Sequence, residues 1–297
     1  CGLARKFRVS ELVIGLTVVA LGTSLPEFMV SFMSVLLGSS DMSVGNIMGS
    51  NIFNIFIITG MSAVLTTLAV DKYLLYRDIP LCFAASVLLV LFSFTGSTIT
   101  RWEGILLVVF FLCYLYVAYR VAMKDRKASA ASAPEQKTDT TPEGKKKKED
   151  TTWYLLLLIL LGITALVIGA RLLVDNAVSV ARAWGISESV IGLTILAAGT
   201  SLPELATSLV AARKGSSALA LGNVIGSNIF NIAFVIGICS SILPMKVTEI
   251  SIIDWTALVG SVVLTCLTAY TCRKLSRWEG LILVFCYIAF IMLLLSR

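Results

Sequence analysis

Apolar runs of about 20 residues, separated by short polar segments, follow one another along most of the chain. Each run is long enough to cross the ~30 Å hydrocarbon core of a bilayer as an α-helix. The pattern therefore predicts an all-α membrane protein that spans the bilayer many times. The predicted spans cover residues 10–37, 43–69, 78–98, 102–123, 152–182, 187–212, 219–244, 250–270 and 276–296.

One polar stretch, GTSLPE, interrupts this pattern twice, at residues 22–27 and again at residues 199–204. Proline disrupts the hydrogen bonding of a helix, and a carboxylate is costly inside a membrane. The stretch therefore predicts two broken helices with a functional role. The displacement between the copies is 204 − 27 = 177 residues.

The two copies belong to a longer internal repeat. Residues 10–60 align with residues 187–237 without a gap, and RWEG at residues 101–104 recurs at residues 277–280. Gly, Pro, Asn and Glu recur in register, which unrelated apolar helices do not show. The chain thus divides into a first half, 1–123, and a second half, 152–297. Residues 124–151 form a polar linker that includes four consecutive lysines and that we expect to be flexible.

The repeat and the basic residues together predict an inverted architecture. The second half begins with the span 152–182, whose counterpart is absent before residue 10, so we expect a further helix to precede this sequence. That gives two inverted repeats of five helices, ten in all. Basic residues cluster in alternate loops, which the positive-inside rule assigns to the cytoplasm together with the linker. Inverted repeats with broken helices are typical of secondary transporters.

Composition narrows the possible chemistry. The chain has 57% hydrophobic and 14% charged residues, no His and seven Cys without CxxC spacing. We therefore expect no His-based catalysis, disulfide, zinc site or cofactor. The net charge of +6 resides in short loops between spans, so it does not indicate nucleic-acid binding.

Glu27 and Glu204 are the leading candidates for a cation site. Neither predicted helix offers a Lys or Arg at the same depth, so a bound cation is the natural partner of each carboxylate. The alternative is a capping box, because Ser24 with Glu27, and Ser201 with Glu204, have the S-x-x-E spacing that caps a helix.

The hydroxyl groups beside the carboxylates extend the candidate site. Proline leaves carbonyl oxygens of the preceding turn without a donor, and a cation or a trapped water can take the place of that donor. The neighbouring hydroxyls are those of Thr23, Ser24, Thr200 and Ser201. The alternative is that these hydroxyls bond back to their own helices, which is common in membrane spans.

A second polar motif follows each carboxylate by about one span. It reads GNIMGSNIFN at residues 45–54 and GNVIGSNIFN at residues 222–231. Within each motif, the first Asn, the Ser and the last Asn fall at i, i+4 and i+8 and so share one helix face. These residues are Asn46, Ser50 and Asn54, and Asn223, Ser227 and Asn231. On those faces we favour cation binding for Ser50, Asn54, Ser227 and Asn231. For Asn51 and Asn228 we favour the alternative, polar contact between helices.

Together these groups predict a site made only of oxygen atoms. Ca²⁺ takes 6–8 oxygen ligands, and Na⁺ also prefers oxygen. Two carboxylates carry a charge of −2, which one Ca²⁺ or two Na⁺ neutralise. The two ions would therefore exclude each other, as an exchanger requires.

At these motifs the chain resembles the cation/calcium antiporter superfamily, and within it the prokaryotic sodium/calcium exchangers. The resemblance implies ten helices, of which the first and sixth glide across the others. It implies that Glu27 and Glu204 are the central acidic ligands, with hydroxyl and amide ligands at the positions named above. It also implies backbone ligands, the carbonyls of Ala20 and Ala197. Asn231 departs from relatives that carry Asp there, which favours independence of K⁺.

The leading hypothesis is electrogenic antiport of Na⁺ against Ca²⁺ by alternating access. An H⁺/Ca²⁺ antiporter that uses the same carboxylates is the alternative, and an intramembrane hydrolase or a channel is more remote. We expect Ca²⁺, Na⁺ and the lipid bilayer as partners, and a monomer. The linker has no room for the regulatory domains of animal relatives, so the resemblance suggests a bacterial inner membrane.

Overall fold

The computed structural model describes residues 11–131 and 188–296, together with isolated positions between 157 and 186. In the first half, α1 (residues 11–23) and α2 (Leu25–Leu36) form one bent span. It is followed by α3 (Ser40–Leu65), α4 (Leu74–Phe94) and α5 (Arg101–Ala131). The second half repeats this order with α6 (residues 188–200), α7 (Leu202–Arg213), α8 (Ser217–Ile242), α9 (Ile252–Cys272) and α10 (Arg277–Leu295).

The structure confirms the predicted spans within its described residues but shifts several ends. Apolar residues continue past the ends of α3 and α4, where Leu68 and Ile99 are buried in short strands rather than in helices. Hydropathy alone cannot distinguish these two kinds of burial, so the predicted spans 43–69 and 78–98 extend too far. Helix α5 also continues beyond residue 123, through a segment rich in good helix formers. The predicted span 152–182 and the linker beyond Ala131 lie outside the described residues, apart from isolated positions.

Two antiparallel strand pairs connect the halves. Strand β1 (Leu68–Ala69) pairs with β4 (Lys274–Leu275), and β2 (Thr98–Ile99) pairs with β3 (Met245–Lys246). By the repeat, β1 is equivalent to β3, and β2 to β4. Equivalent strands therefore lie in different pairs, as expected if the second half is inverted relative to the first.

The strand pairs also agree with the distribution of basic residues. The β1–β4 pair joins the loops that carry Lys72, Arg273 and Lys274. We call the surface formed by these loops the basic face. The β2–β3 pair joins the two loops that we predicted to lie on the other side of the membrane.

Each bent span packs against both halves of the molecule. Helix α2 packs on α3 of its own half, whereas α1 packs on α8 of the other half, and α7 and α6 repeat this arrangement. These crossings are close: a Cβ atom at Gly15 would lie 2.8 Å from the Leu219 carbonyl oxygen, and one at Gly192 would lie 2.8 Å from that of Met42. Helices α3 and α8 consequently form the buried centre.

The RWEG repeat fixes the first turns of α5 and α10. Glu103 accepts a hydrogen bond from the Thr100 N–H, and Glu279 accepts one from the Ser276 N–H, both at 2.7 Å. These carboxylates cap their helices. The following glycine of each motif lies against the backbone of α8 or α3, where a side chain would clash.

The close contact of α10 with α3 generates a stability prediction. A Cβ atom at Gly280 would lie 2.6 Å from the Gly60 carbonyl oxygen, whereas one at Gly260 in α9 would meet nothing within 4 Å. We expect Gly280→Ala to destabilise the fold by about 1–3 kcal/mol through overpacking. The matched change Gly260→Ala should be neutral or slightly stabilising, because Ala favours helices. Thermal unfolding of the purified protein checks this, and equal melting temperatures for the two variants would contradict it.

Candidate cation-binding site

The candidate site lies where both bent spans break. Ser24, between α1 and α2, has φ −87° and ψ 8°, and Ser201, between α6 and α7, has φ −83° and ψ 5°. Pro26 and Pro203 occupy the first turn of the following helix, where a missing N–H is tolerated. The two spans bend by 45° and 51°. The carboxylate residues follow the prolines directly, so the breaks place them at the centre.

The serines and carboxylates form hydrogen bonds across the repeats. The Ser24 hydroxyl donates to Glu204 Oε1 at 2.7 Å, and the Ser201 hydroxyl donates to Glu27 Oε1 at 3.0 Å. All four side chains are fully buried. Neither serine side chain caps the helix that follows it. The capping-box alternative is therefore wrong: each S-x-x-E motif reaches into the opposite half instead.

The threonines combine both roles that we considered. Thr200 Oγ1 lies 2.9 Å from the Leu196 carbonyl oxygen one turn earlier, and Thr23 Oγ1 lies 3.1 Å from that of Val19. Their hydroxyls therefore bond back to their own helices. Each threonine also lies 3.4 Å from an asparagine oxygen of the other half: Thr200 from Asn46, and Thr23 from Asn223.

The two alanine carbonyls already accept backbone hydrogen bonds. The Ala20 oxygen accepts from the Ser24 N–H at 3.0 Å, and the Ala197 oxygen accepts from the Ser201 N–H at 3.1 Å. The Ser50 hydroxyl also lies 3.4 Å from the Ala197 oxygen. Each alanine oxygen also lies 3.4 Å from the hydroxyl of the threonine three residues later.

Four asparagines form a symmetric cluster where α3 crosses α8. The Asn51 amide donates to the Asn228 backbone oxygen at 3.1 Å, and the Asn228 amide donates to that of Asn51 at 3.2 Å. The Asn228 side-chain oxygen accepts from the Asn54 amide at 3.0 Å, and the Asn51 side-chain oxygen accepts from the Asn231 amide at 3.1 Å. The predicted helix-to-helix role of Asn51 and Asn228 is thereby confirmed. Their second effect is to fix the amide nitrogens of Asn54 and Asn231.

At the candidate site, four buried oxygen atoms have no hydrogen-bond donor among the residues that the structure describes. They are Glu27 Oε2, Glu204 Oε2, Asn54 Oδ1 and Asn231 Oδ1. A buried polar atom without a partner costs about 1–3 kcal/mol. All four are acceptors, and they form two pairs related by the repeat. Carboxylate and amide oxygens without a donor are ligands that a hard cation such as Ca²⁺ binds several at a time, so this set of atoms fits a cation.

The charge of the site supports the same conclusion. Glu27 and Glu204 are both fully buried, so their like charges would repel each other when both are ionised. Within the described ranges, neither carboxylate has an ion-pair partner, and no three His, Cys, Asp or Glu residues lie together as metal ligands. Neutral oxygens must therefore complete any coordination shell. Ser227 brings one neutral oxygen close to the carboxylates, because its hydroxyl lies 3.4 Å from Glu204 Oε1.

Asn46 and Asn223 were missed as site residues by the sequence reasoning. The Asn46 amide donates to Ser31 at 3.1 Å, and the Asn223 amide donates to Ser208 at 2.9 Å. They connect each bent span to its neighbouring helix and contact the threonine of the other half. Their position at the start of the predicted polar face was the available signal.

Known proteins match the chain along nearly its whole length. A profile described as sodium/calcium exchanger protein matches residues 2–120 and 154–296. Sodium/calcium exchanger MaX1 of Methanosarcina acetivorans is 32% identical, over 98% of this chain and 91% of that protein. Inner membrane protein YrbG of Escherichia coli (strain K12) is 38% identical, over 84% of this chain and 75% of that protein.

A solved structure has the same fold. The sodium-calcium exchanger NCX_Mj, soaked with Na⁺ and Ca²⁺, matches with a TM-score of 0.78 and 32% identity. The match covers 98% of this chain and 89% of that one. The chain therefore has the known fold of this exchanger, with its two inverted halves, and the candidate site lies where those halves meet.

The arrangement generates a binding prediction. Glu27→Gln and Glu204→Gln each remove one of two facing charges but keep an oxygen for the serine. We expect each to weaken Ca²⁺ binding by about 100-fold or more, the cost of losing one partner of a buried charge interaction. Calorimetric titration of the purified protein with Ca²⁺ measures this.

Glu103→Gln and Glu279→Gln provide the matched control. They make the same chemical change at another pair of carboxylates related by the repeat, which cap helices outside the site. Their Ca²⁺ affinity should stay near that of the unmodified protein. Equal weakening in both pairs would contradict the proposed location of the site.

Proposed function

The chain belongs to the sodium/calcium exchanger protein family, and from that premise we propose that it exchanges Na⁺ for Ca²⁺ across a bacterial inner membrane. The family profile, MaX1 and NCX_Mj are all described as sodium/calcium exchangers, so the chain is a cation/Ca²⁺ antiporter and not an enzyme, and the hydrolase alternative is wrong. The name of YrbG supports the choice of membrane. The observation that carries the choice of site is the set of four unpartnered oxygens on Glu27, Glu204, Asn54 and Asn231.

The charge of the pair explains why two kinds of ion would alternate. Glu27 and Glu204 together carry −2, and one Ca²⁺ or two Na⁺ restore neutrality. Occupied by either ion, the site is satisfied; without one, two buried carboxylates repel each other. Each ion therefore lowers the affinity for the other. Any further Na⁺ carried per cycle would make exchange electrogenic, with about 2.3 kcal/mol per net charge and 100 mV.

The proposed ligands follow from the geometry. The two carboxylates and the amide oxygens of Asn54 and Asn231 would coordinate first, because they have no other partner. The remaining ligands would come from hydroxyl and carbonyl oxygens that already take part in hydrogen bonds: Thr23, Ser24, Thr200, Ser201, Ser50, Ser227 and the carbonyls of Ala20 and Ala197.

Alternating access is the transport mode that best suits a closed site. Glu27, Glu204, Ser24 and Ser201 are fully buried, so an ion can reach them only after helices move. The close glycine contacts make the α3–α8 centre a suitable fixed body. By the family resemblance, the moving helices would be the first and sixth of the ten membrane spans, which are not the helices labelled α1 and α6 here. The sixth span corresponds to residues 152–182.

Calcium uptake into vesicles tests this function. The protein is reconstituted into vesicles loaded with Na⁺, and ⁴⁵Ca²⁺ uptake is compared with Na⁺ or choline outside. We expect uptake only when the Na⁺ gradient is directed outward, and we expect Glu204→Gln to abolish it, since the site then lacks the charge that Ca²⁺ requires. Added K⁺ should make no difference.

Two outcomes would redirect the proposal. Uptake that ignores Na⁺ but follows a pH gradient would identify the H⁺/Ca²⁺ alternative, in which protons neutralise the same carboxylates. Uptake that persists in Glu204→Gln but not in the empty vesicles would place the transport site elsewhere. Glu279→Gln controls for general damage, because it alters a carboxylate that caps α10 outside the candidate site.

A further inference from the structure

A second buried polar group lies outside the cation site, between α4 and α5. It consists of Arg77, Asp78, Cys82 and Tyr114. Arg77 forms a two-point ion pair with Asp78, at 2.8 Å from Nε and 2.9 Å from Nη2. Asp78 and Cys82 are fully buried, and only 3% of Tyr114 is exposed. Nothing in the proposed exchange uses these side chains.

Two polar atoms of this group lack partners. Arg77 Nη1 and Tyr114 Oη are buried and make no hydrogen bond to any residue that the structure describes. Tyr114 lies within electrostatic reach of Arg77, Asp78 and Cys82, so the unpartnered atoms belong to one cluster. In folded proteins such atoms are usually hydrogen-bonded by ordered water.

The second half shows that the fold does not require these polar residues. With the offset of 277 − 101 = 176 that relates the RWEG motifs, the positions of Arg77, Cys82 and Tyr114 correspond to Ile253, Leu258 and Phe290. Leu258 and Phe290 are buried apolar residues. Only the carboxylate is kept, as Asp254, which accepts a hydrogen bond from the Ser251 N–H that begins α9. The polar cluster is therefore specific to the first half.

The cluster leads from the basic face toward the cation site. Helix α4 begins at the basic face, and Asp78 and Cys82 lie one turn apart on the same side of it. Helix α4 also packs against α8, and the Cys82 thiol lies within interaction range of the Asn228 side chain. Asn228 in turn accepts the hydrogen bond that orients Asn54. A polar connection thus runs from the surface to the back of the site.

We propose that Arg77, Asp78, Cys82 and Tyr114 line a water-filled pocket that extends inward from the basic face and ends at Asn228. The pocket makes Cys82 a site of modification by small thiol reagents, although the side chain is fully buried. An adduct on Cys82 displaces Asn228 and, through it, Asn54. This last step rests on the proposed function, whereas the pocket does not.

Thiol labelling of the full-length protein in vesicles tests the pocket. Methyl methanethiosulfonate reacts with a thiolate to form Cys–S–S–CH₃ and releases methanesulfinate, and mass spectrometry follows each cysteine. Cys239 is the matched control, because it is also fully buried and free. Water access should make Cys82 react at least about ten-fold faster than Cys239. Equal rates would overturn the proposal.

A second variant tests whether water is responsible. Tyr114→Phe copies the residue that the second half carries, so the fold should tolerate it. It removes Tyr114 Oη, which together with Arg77 Nη1 would bind the water. We expect the labelling rate of Cys82 to fall several-fold while that of Cys239 is unchanged. Unaltered labelling of Cys82 in this variant would also overturn the pocket.

The link to the cation site has its own readout. Exchange is measured before and after labelling, in the unmodified protein and in Cys82→Ser, which keeps the shape but lacks the thiol. We expect labelling to remove most exchange from the first and none from the second. Full exchange after complete Cys82 labelling would overturn the link to Asn228. Absence of exchange before labelling would instead count against the proposed function, and the labelling rates would still decide the pocket.

Discussion

Glu27 and Glu204 place two negative charges at the centre of a membrane protein, where burial is complete and neither has a basic partner in the described structure. Water would stabilise such charges, and lipid cannot. The local architecture can be understood as a response to this constraint. The helix breaks provide serine hydroxyls, each serine is supplied by the opposite half, and the asparagine cluster turns two amide oxygens away from other donors.

The inverted repeat is well suited to this purpose. Each half contributes one carboxylate, and each carboxylate depends on a donor from the other half, so neither half could form the site alone. The strand pairs and the glycine contacts hold the halves in the necessary register. Symmetry also makes the exceptions informative. Arg77, Cys82 and Tyr114 differ from their apolar counterparts, and this difference points to a role that the fold itself does not demand.

Much of this arrangement was predictable from the sequence because it depends on local patterns. Long apolar runs, a proline beside a carboxylate and a repeated motif indicate spans, breaks and candidate ligands directly. Contacts between distant residues leave no such pattern. The Ser24–Glu204 hydrogen bond resembles a capping box when only one half is considered, and it becomes recognisable only when the halves meet. Strands of two residues, such as β1, have no periodicity and look like the ends of apolar spans. The bridging role of Asn46 likewise depends on Thr200 of the other half.

The most direct test of this account is to locate Ca²⁺ in crystals of the protein by anomalous X-ray scattering near the calcium edge. The account predicts one calcium between Glu27 and Glu204, with carboxylate oxygens at about 2.3–2.6 Å, and its loss when excess Na⁺ is added. Calcium bound elsewhere, or calcium that remains in excess Na⁺, would contradict the claim that one shared pair of carboxylates serves both ions.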